Sequence, residues 1–199
     1  MQRSEICLNT KGKTKISTNP PLSQIDVLSA RLSSFKIDKK RVQELAAVIC
    51  SQLGLGPVYL CIKFVPSKEM TRINKQFRNI EKDTDVLSFP QIDWLAEEKS
   101  IRCVGLEPMP KLGAEGPLGC ILGDLVISPE KAFENAQTIG HALDRELAFL
   151  LIHGILHLCG HDHEKPEEEK RMLEQQTLLL SFLEESRGRP LWTDCLQLK

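Results

Sequence analysis

The chain has 199 residues, 41% hydrophobic and 27% charged, with 12 Gly and 11 Pro. That composition suits a folded globular protein and excludes a fibrous or low-complexity one. Lys+Arg 26 against Asp+Glu 27 leaves a net charge of −1, so a generically basic nucleic-acid coat is excluded and any nucleic-acid contact must come from a local patch.

Residues 1–38 give a mixed signal. Ile6, Cys7 and Leu8 suit a strand and Asn19-Pro20-Pro21 a turn, while Ile25, Leu28 and Leu32 have helical spacing in a stretch equally open to a strand. From Asp38, a residue suited to capping, Val42, Leu45, Ala46, Ile49 and Leu53 recur at 3- and 4-residue spacing and predict a helix that ends at Gly54 and Gly56-Pro57. Val58–Val65 reads as a sheet strand. Ser67 opens a second helix with Met70, Ile73 and Phe77 as its apolar stripe. Its opposite face carries Lys68, Arg72, Lys75 and Arg78, with Lys82 beyond, within a sector about 120° wide. Val86–Phe89 is a short strand stopped by Pro90, residues 91–119 are a Pro- and Gly-rich loop or insertion, and Cys120–Ile127 resumes the sheet.

Pro129 starts a helix that fades near Gly140. Leu143 to about Cys159 is apolar on nearly every side, as a helix buried in the core must be. Pro166 begins a last helix with Met172, Leu173, Leu179, Leu180 and Leu183 as core candidates, and Arg187-Gly188-Arg189-Pro190 leads into a tail. The expected fold is α+β, a small mixed β-sheet packed with helices. One domain spans 1–199 with a core of about 39–186, an insertion at 91–119 and a C-terminal tail at 187–199.

Seven cysteines, none in a CxxC pair, and a start lacking an apolar signal core predict a reducing, cytoplasmic location with buried thiols. No apolar run approaches the roughly 20 residues of a membrane span.

Four of the five histidines lie in His153-Gly154-Ile155-Leu156-His157-Leu158-Cys159-Gly160-His161-Asp162-His163. His153 and His157, i and i+4, share one face of the buried helix, the spacing of a helical metal chelate. Burying two imidazoles without partners costs a few kcal/mol, and a metal supplies the partner. Were the helix to continue, His161 would lie about 12 Å along the axis from His153, too far for convergence on one ion. His163, beyond the turn at Gly160, can fold back. The ligand set is therefore His153, His157 and His163, with His161 a neighbour and Asp162 a possible acceptor for an imidazole N–H. Three neutral nitrogens without a fourth protein ligand suggest one Zn2+ with an open coordination position.

The spacing HxxxHxxGxxH is also that of a class of zinc proteases, which carry a glutamate base after the first histidine. Here Gly154 stands at that position, which disfavours peptide hydrolysis. Lys68, Arg72 and Lys75 offer a track for phosphates, although a solvated helix face explains such a stripe as well. Arg78, just before Asp83-Thr84-Asp85, is placed to stabilise charge developing on a phosphoryl group. Asp124 is either catalytic or a structural strand-end carboxylate, and Cys159 is a core residue.

The histidine segment resembles the HGxLHLxGxDH signature of the YbeY family of metallo-endoribonucleases. Phe77-Arg78 followed by Thr84–Pro90 resembles its second signature, and Leu122–Ile127 its third. The likeness runs from about Val58 to Leu183. It implies a cytoplasmic, single-strand-specific endoribonuclease of 16S-type rRNA 3′-end maturation and ribosome quality control. It further implies zinc held by His153, His157 and His163, with Arg78 the important arginine and the ribosome or a ribosomal protein as partner. The alternative is a non-catalytic RNA-binding assembly factor with a structural zinc.

Overall fold

The computed structural model describes residues 6–8, 14–16, 23–91, 120–161, 165–185 and 190–199, with backbone alone for the first two segments and Cys120. Strands β1 (Ile6–Leu8) and β2 (Thr14–Ile16) pair antiparallel. Strand β3 (Gln24–Ser29) resolves the mixed signal of the N-terminal region. Ile25 and Val27 are buried while Leu28 is 50% exposed; alternation with period 2 prevails over the helical spacing of Ile25, Leu28 and Leu32. After β4 (Phe35–Ile37), helix α1 (Lys39–Gln52) starts at Asp38, whose Oδ1 accepts the Arg41 N–H at 3.1 Å.

The principal sheet is completed by β5 (Val58–Phe64), β6 (Val86–Pro90) and β7 (Cys120–Ile127), in the order β3-β5-β7-β6. The first three run parallel and β6 pairs antiparallel with β7 at the edge. This is the expected α+β arrangement with a mixed sheet. Helix α2 (Ser67–Arg78) follows β5, α3 (Pro129–Ile139) and α4 (Leu143–Leu158) follow β7, and α5 (Pro166–Glu185) precedes the last strand, β8 (Leu196–Leu198).

The two faces of the sheet are covered unequally. Leu60, Ile62, Leu125 and Ile127 pack with α1, α3, α4 and α5 in the main core. On the other face Val126 and Leu87 pack with Val65, Met70 and Ile73 in a smaller cluster beneath α2. As expected, α4 is the buried centre: Leu147, Leu151, Ile152, Ile155 and Leu156 are inaccessible.

The core is wider than the sequence suggests. It includes Ile25, Leu32 and Phe35 before residue 39, and Trp192, Cys195 and Leu196 after 186. The end of the chain is held by hydrogen bonds: β8 pairs antiparallel with β4, and both Asp144 carboxylate oxygens accept backbone N–H groups, of Asp194 and Leu196, at 2.7 Å each. Burial raises the pKa of Asp144 against the opposing pull of these bonds. On α5, Met172, Leu179 and Leu183 are buried, but Leu173 is 57% exposed and Leu180 only packs against the core edge; the polar Gln176 takes an inner position instead. The insertion at 92–119 lies outside the described residues, and among those described no helix is long and apolar enough to cross a membrane.

Four described cysteines are free thiols, three buried and Cys61 partly exposed. Burial pushes the Cys50 and Cys195 thiols up to about 12. Iodoacetamide at pH 8 is therefore expected to label Cys61 in the native protein well before Cys50, Cys159 or Cys195. Peptide mapping checks this, and equal labelling of all four would contradict the buried arrangement.

Candidate active site

The histidine pair stands on the last two turns of α4. The His157 Nδ1 faces the backbone carbonyl of His161 at 2.9 Å, and the His153 Nδ1 faces the side-chain carbonyl of Gln176 at 2.8 Å. Both partners accept, so each Nδ1 carries the proton and each Nε2 presents its lone pair. The two Nε2 atoms are 3.1 Å apart. Lone pairs that face each other at this range repel unless a proton or a cation lies between them. Two nitrogens bound to one tetrahedral ion at 2.0–2.1 Å stand about 3.3 Å apart, so the pair fits a divalent cation such as zinc.

Gly160, at φ 83, makes the turn that brings this carbonyl back to His157. The His161 N–H bonds to the Leu156 carbonyl at 3.0 Å. His161 thus serves the pair through its backbone. Burial lowers the pKa of its ring, and its buried Nε2 has no hydrogen-bond partner among the described residues. His163 and Asp162 lie outside the described residues, among which no third His, Cys, Asp or Glu completes a metal-holding group.

The residues of α2 are placed apart from this pair. Lys68, Arg72, Lys75 and Arg78 are exposed on the helix that covers the opposite sheet face. Lys75 Nζ is 2.6 Å from Glu81 in an exposed ion pair, and Lys68 and Arg72 border a shallow depression with Glu69. Arg78 is the last residue of α2. Asn79 turns the chain at φ 58, and the buried Asn74 amide donates to the Lys82 carbonyl at 2.7 Å, bracing the segment after Arg78. From there the chain enters β6, whose Ser88 hydroxyl donates to the Gly154 carbonyl of α4 at 3.3 Å. The edge strand β6 is thus the bridge between the arginine and the histidine helix.

Asp124 and Asp85 do not join the pair. Asp124 points to the sheet face away from α4, beside the Cys61 thiol, whose pKa is raised by burial and then by that carboxylate. Asp85 is structural: its carboxylate accepts from its neighbour's Val86 N–H at 2.8 Å and from Asn135 at 2.9 Å.

Residues 27–184 match the family model described as Endoribonuclease YbeY. The chain belongs to the YbeY family. The Endoribonuclease YbeY of Limosilactobacillus reuteri is 36% identical over 160 residues, covering 80% of this chain and 94% of that protein. The Acetivibrio thermocellus protein of the same name is 41% identical over 134 residues, covering 66% of this chain and 77% of its own. The solution structure of TM1509 from Thermotoga maritima is similar at a TM-score of 0.51 and 25% identity, over 79% of this chain and 87% of that one.

Gly154, within the YbeY-type histidine motif, has a packing reason of its own. A Cβ there would stand 2.7 Å from Leu125 Cδ2 and 3.4 Å from Ser88 Oγ. Position 154 presses on the sheet, so any side chain there has to displace the Leu125 methyl groups, and with glycine in place the helix offers no base for the peptidase reading. Gln176 is the site residue that the sequence reading passed over. The signal was present: a polar residue in the 172-176-179-183 stripe, only 7% exposed.

Proposed function

We propose that the protein is a zinc-dependent endoribonuclease that cuts single-stranded RNA, with the 3′ end of small-subunit rRNA as its target in ribosome maturation and quality control. The reading includes a cytoplasmic location and a ribosome or ribosomal protein as partner, and it draws on the three YbeY-type motifs. The observation that carries the chemistry is the His153–His157 pair, with both Nε2 atoms turned to one point 3.1 Å apart.

His153, His157 and His163 would hold the metal, which when bound supplies Lewis acidity toward a phosphoryl oxygen or a water molecule. The chain does the rest. Gln176 and the His161 carbonyl fix both imidazole tautomers, Lys68, Arg72 and Lys75 attract the RNA backbone, and Arg78 meets the charge developing at the phosphorus.

The deciding experiment is cleavage of an end-labelled single-stranded RNA by zinc-loaded and chelator-stripped protein. Cutting by the loaded protein alone is expected. Binding without cutting would replace this reading with that of an assembly factor whose zinc is structural.

The tautomer argument yields its own expectation. Gln176→Leu removes the acceptor for His153 Nδ1 and should lower zinc affinity about 10- to 100-fold, whereas Gln176→Glu keeps an acceptor and should retain it. Competition with a chromophoric chelator measures both. In the metal-free protein, nitrogen-15 NMR of His153 should show the Nδ1–H form in the wild type and a tautomer mixture in Gln176→Leu. Unchanged affinity and tautomer in the leucine variant would remove Gln176 from the site.

A further inference from the structure

Phe77 belongs by position to the buried side of α2: on a helical wheel it lies within about 40° of Met70 and Ile73. Those two are buried, yet Phe77 is 61% exposed. The last turn of α2 therefore overhangs the sheet, and the ring that the sequence assigns to the apolar stripe projects beyond its cover. It contacts Phe89 of β6, with ring centroids 5.1 Å apart and planes at 69°. This edge-to-face contact leaves more than half of Phe77 open to solvent. Phe89 adjoins Ser88, which turns to the other sheet face and bonds to the histidine helix, so the ring sits on the edge strand, across the sheet from the candidate metal ligands. Ile80 nearby is also exposed. Arg78 follows Phe77 directly at the end of α2 and Lys82 lies four residues further on, both exposed, while Arg72 and Lys75 stand on the far side of the helix.

An exposed aromatic ring beside an arginine matches single-stranded RNA, whose unpaired bases stack on aromatic side chains while its phosphates meet Lys and Arg. We propose that Phe77 is a base-stacking platform for a nucleotide of the RNA substrate, with Arg78 and its basic neighbours holding the adjoining phosphates. This deepens, and rests on, the RNA-cleaving function proposed above. The exposed Arg78 beside the ring, with Lys82 beyond it, favours a polyanion over an apolar protein partner for the same patch.

The test is fluorescence anisotropy with the full-length zinc-loaded protein and two probes, a labelled 2′-O-methyl oligoadenylate, which resists cleavage, and an abasic oligomer of equal length. Phe77→Ala is expected to weaken oligoadenylate binding about 5- to 150-fold, leaving abasic binding and the salt dependence unchanged. Phe77→Leu, which retains apolar packing on Phe89 but no aromatic face, should weaken it as well; Phe77→Trp should keep affinity, its indole emission being quenched by bound bases. Wild-type affinity in the leucine variant, or equal losses on both probes, would overturn stacking while leaving the ribonuclease function standing. If Phe77→Ala binds oligoadenylate like the wild type, the patch serves a protein partner and the proposal fails. If the wild type binds neither probe, the RNA-cleaving function fails first and this inference with it.

Discussion

His157→Ala should remain folded, lose its metal and cease to cut RNA. The side chain stands in the last turn of α4, where its Nδ1–H satisfies the His161 carbonyl at 2.9 Å and its Nε2 faces that of His153. With the proposed ligand set of His153, His157 and His163, removing it takes one of three donors from the ion. Apparent binding energies of structural zinc run to about 10–16 kcal/mol; shared among a few ligands, the loss of one corresponds to zinc affinity weaker by on the order of a thousandfold. The folding penalty is much smaller, because the carbonyl left without its donor costs about 1–3 kcal/mol and the apolar body of α4 is untouched. Zinc content after dialysis against a competing chelator, the melting curve and the cleavage gel should therefore separate: no zinc, a modest fall in Tm, no product. RNA binding through α2 should survive, since Lys68 and Arg72 lie on the other sheet face. A variant that keeps one equivalent of zinc at wild-type affinity would exclude His157 as a ligand, and one that cuts at the wild-type rate would exclude the metal from the reaction.

The histidine pair was legible in the sequence because two independent patterns coincide there, an i,i+4 spacing and a helix apolar on all sides. Few alternatives bury two imidazoles together. Gln176 was harder to read. A glutamine in an apolar stripe signals a buried acceptor or donor, but its partner, 23 residues away, is set by the packing of α5 on α4, which periodicity does not encode. The same limit applies at β3, where the spacing of Ile25, Leu28 and Leu32 suited a helix until pairing with β5 imposed alternation. It applies again at the end of the chain, where a short polar segment hides the buried Trp192, Cys195 and Leu196, held by Asp144 and β4. Gly154 was read as the missing base from its place in the motif alone, whereas its contact with Leu125 lies in the fold. Phe77 departs from its pattern in the opposite sense, being apolar by position and exposed by placement. Local spacing reports which residues share a face; what covers that face is settled by elements far away in the chain.

Arg78→Ala is expected to slow cleavage about 100- to 1,000-fold, the range for loss of a group that stabilises transition-state charge, while leaving zinc content and Tm unchanged. The residue is exposed at the end of α2, where a surface substitution rarely moves stability by more than about 0.5 kcal/mol. Its charge also suits the helix C-terminus, as does that of Lys75 one turn earlier, so a merely structural role is worth about 0.3–1 kcal/mol and shows only in Tm. What distinguishes Arg78 from Lys68 and Arg72 is its braced corner: Asn79 turns the chain directly after it, and Asn74 fastens the segment beyond through Lys82. A guanidinium carried on that braced backbone can present a planar fork to a phosphoryl group, which an ammonium on a flexible stem does not reproduce. Arg78→Lys should accordingly recover only a small part of the rate. Lys68→Ala and Arg72→Ala should behave differently, each weakening RNA binding and lowering the salt-dependence slope by about 0.7, with the rate at saturating RNA nearly intact. If Arg78→Ala follows that second pattern, the arginine is one more phosphate contact of the basic face. If it loses zinc, its role is at the metal site and not at the phosphorus.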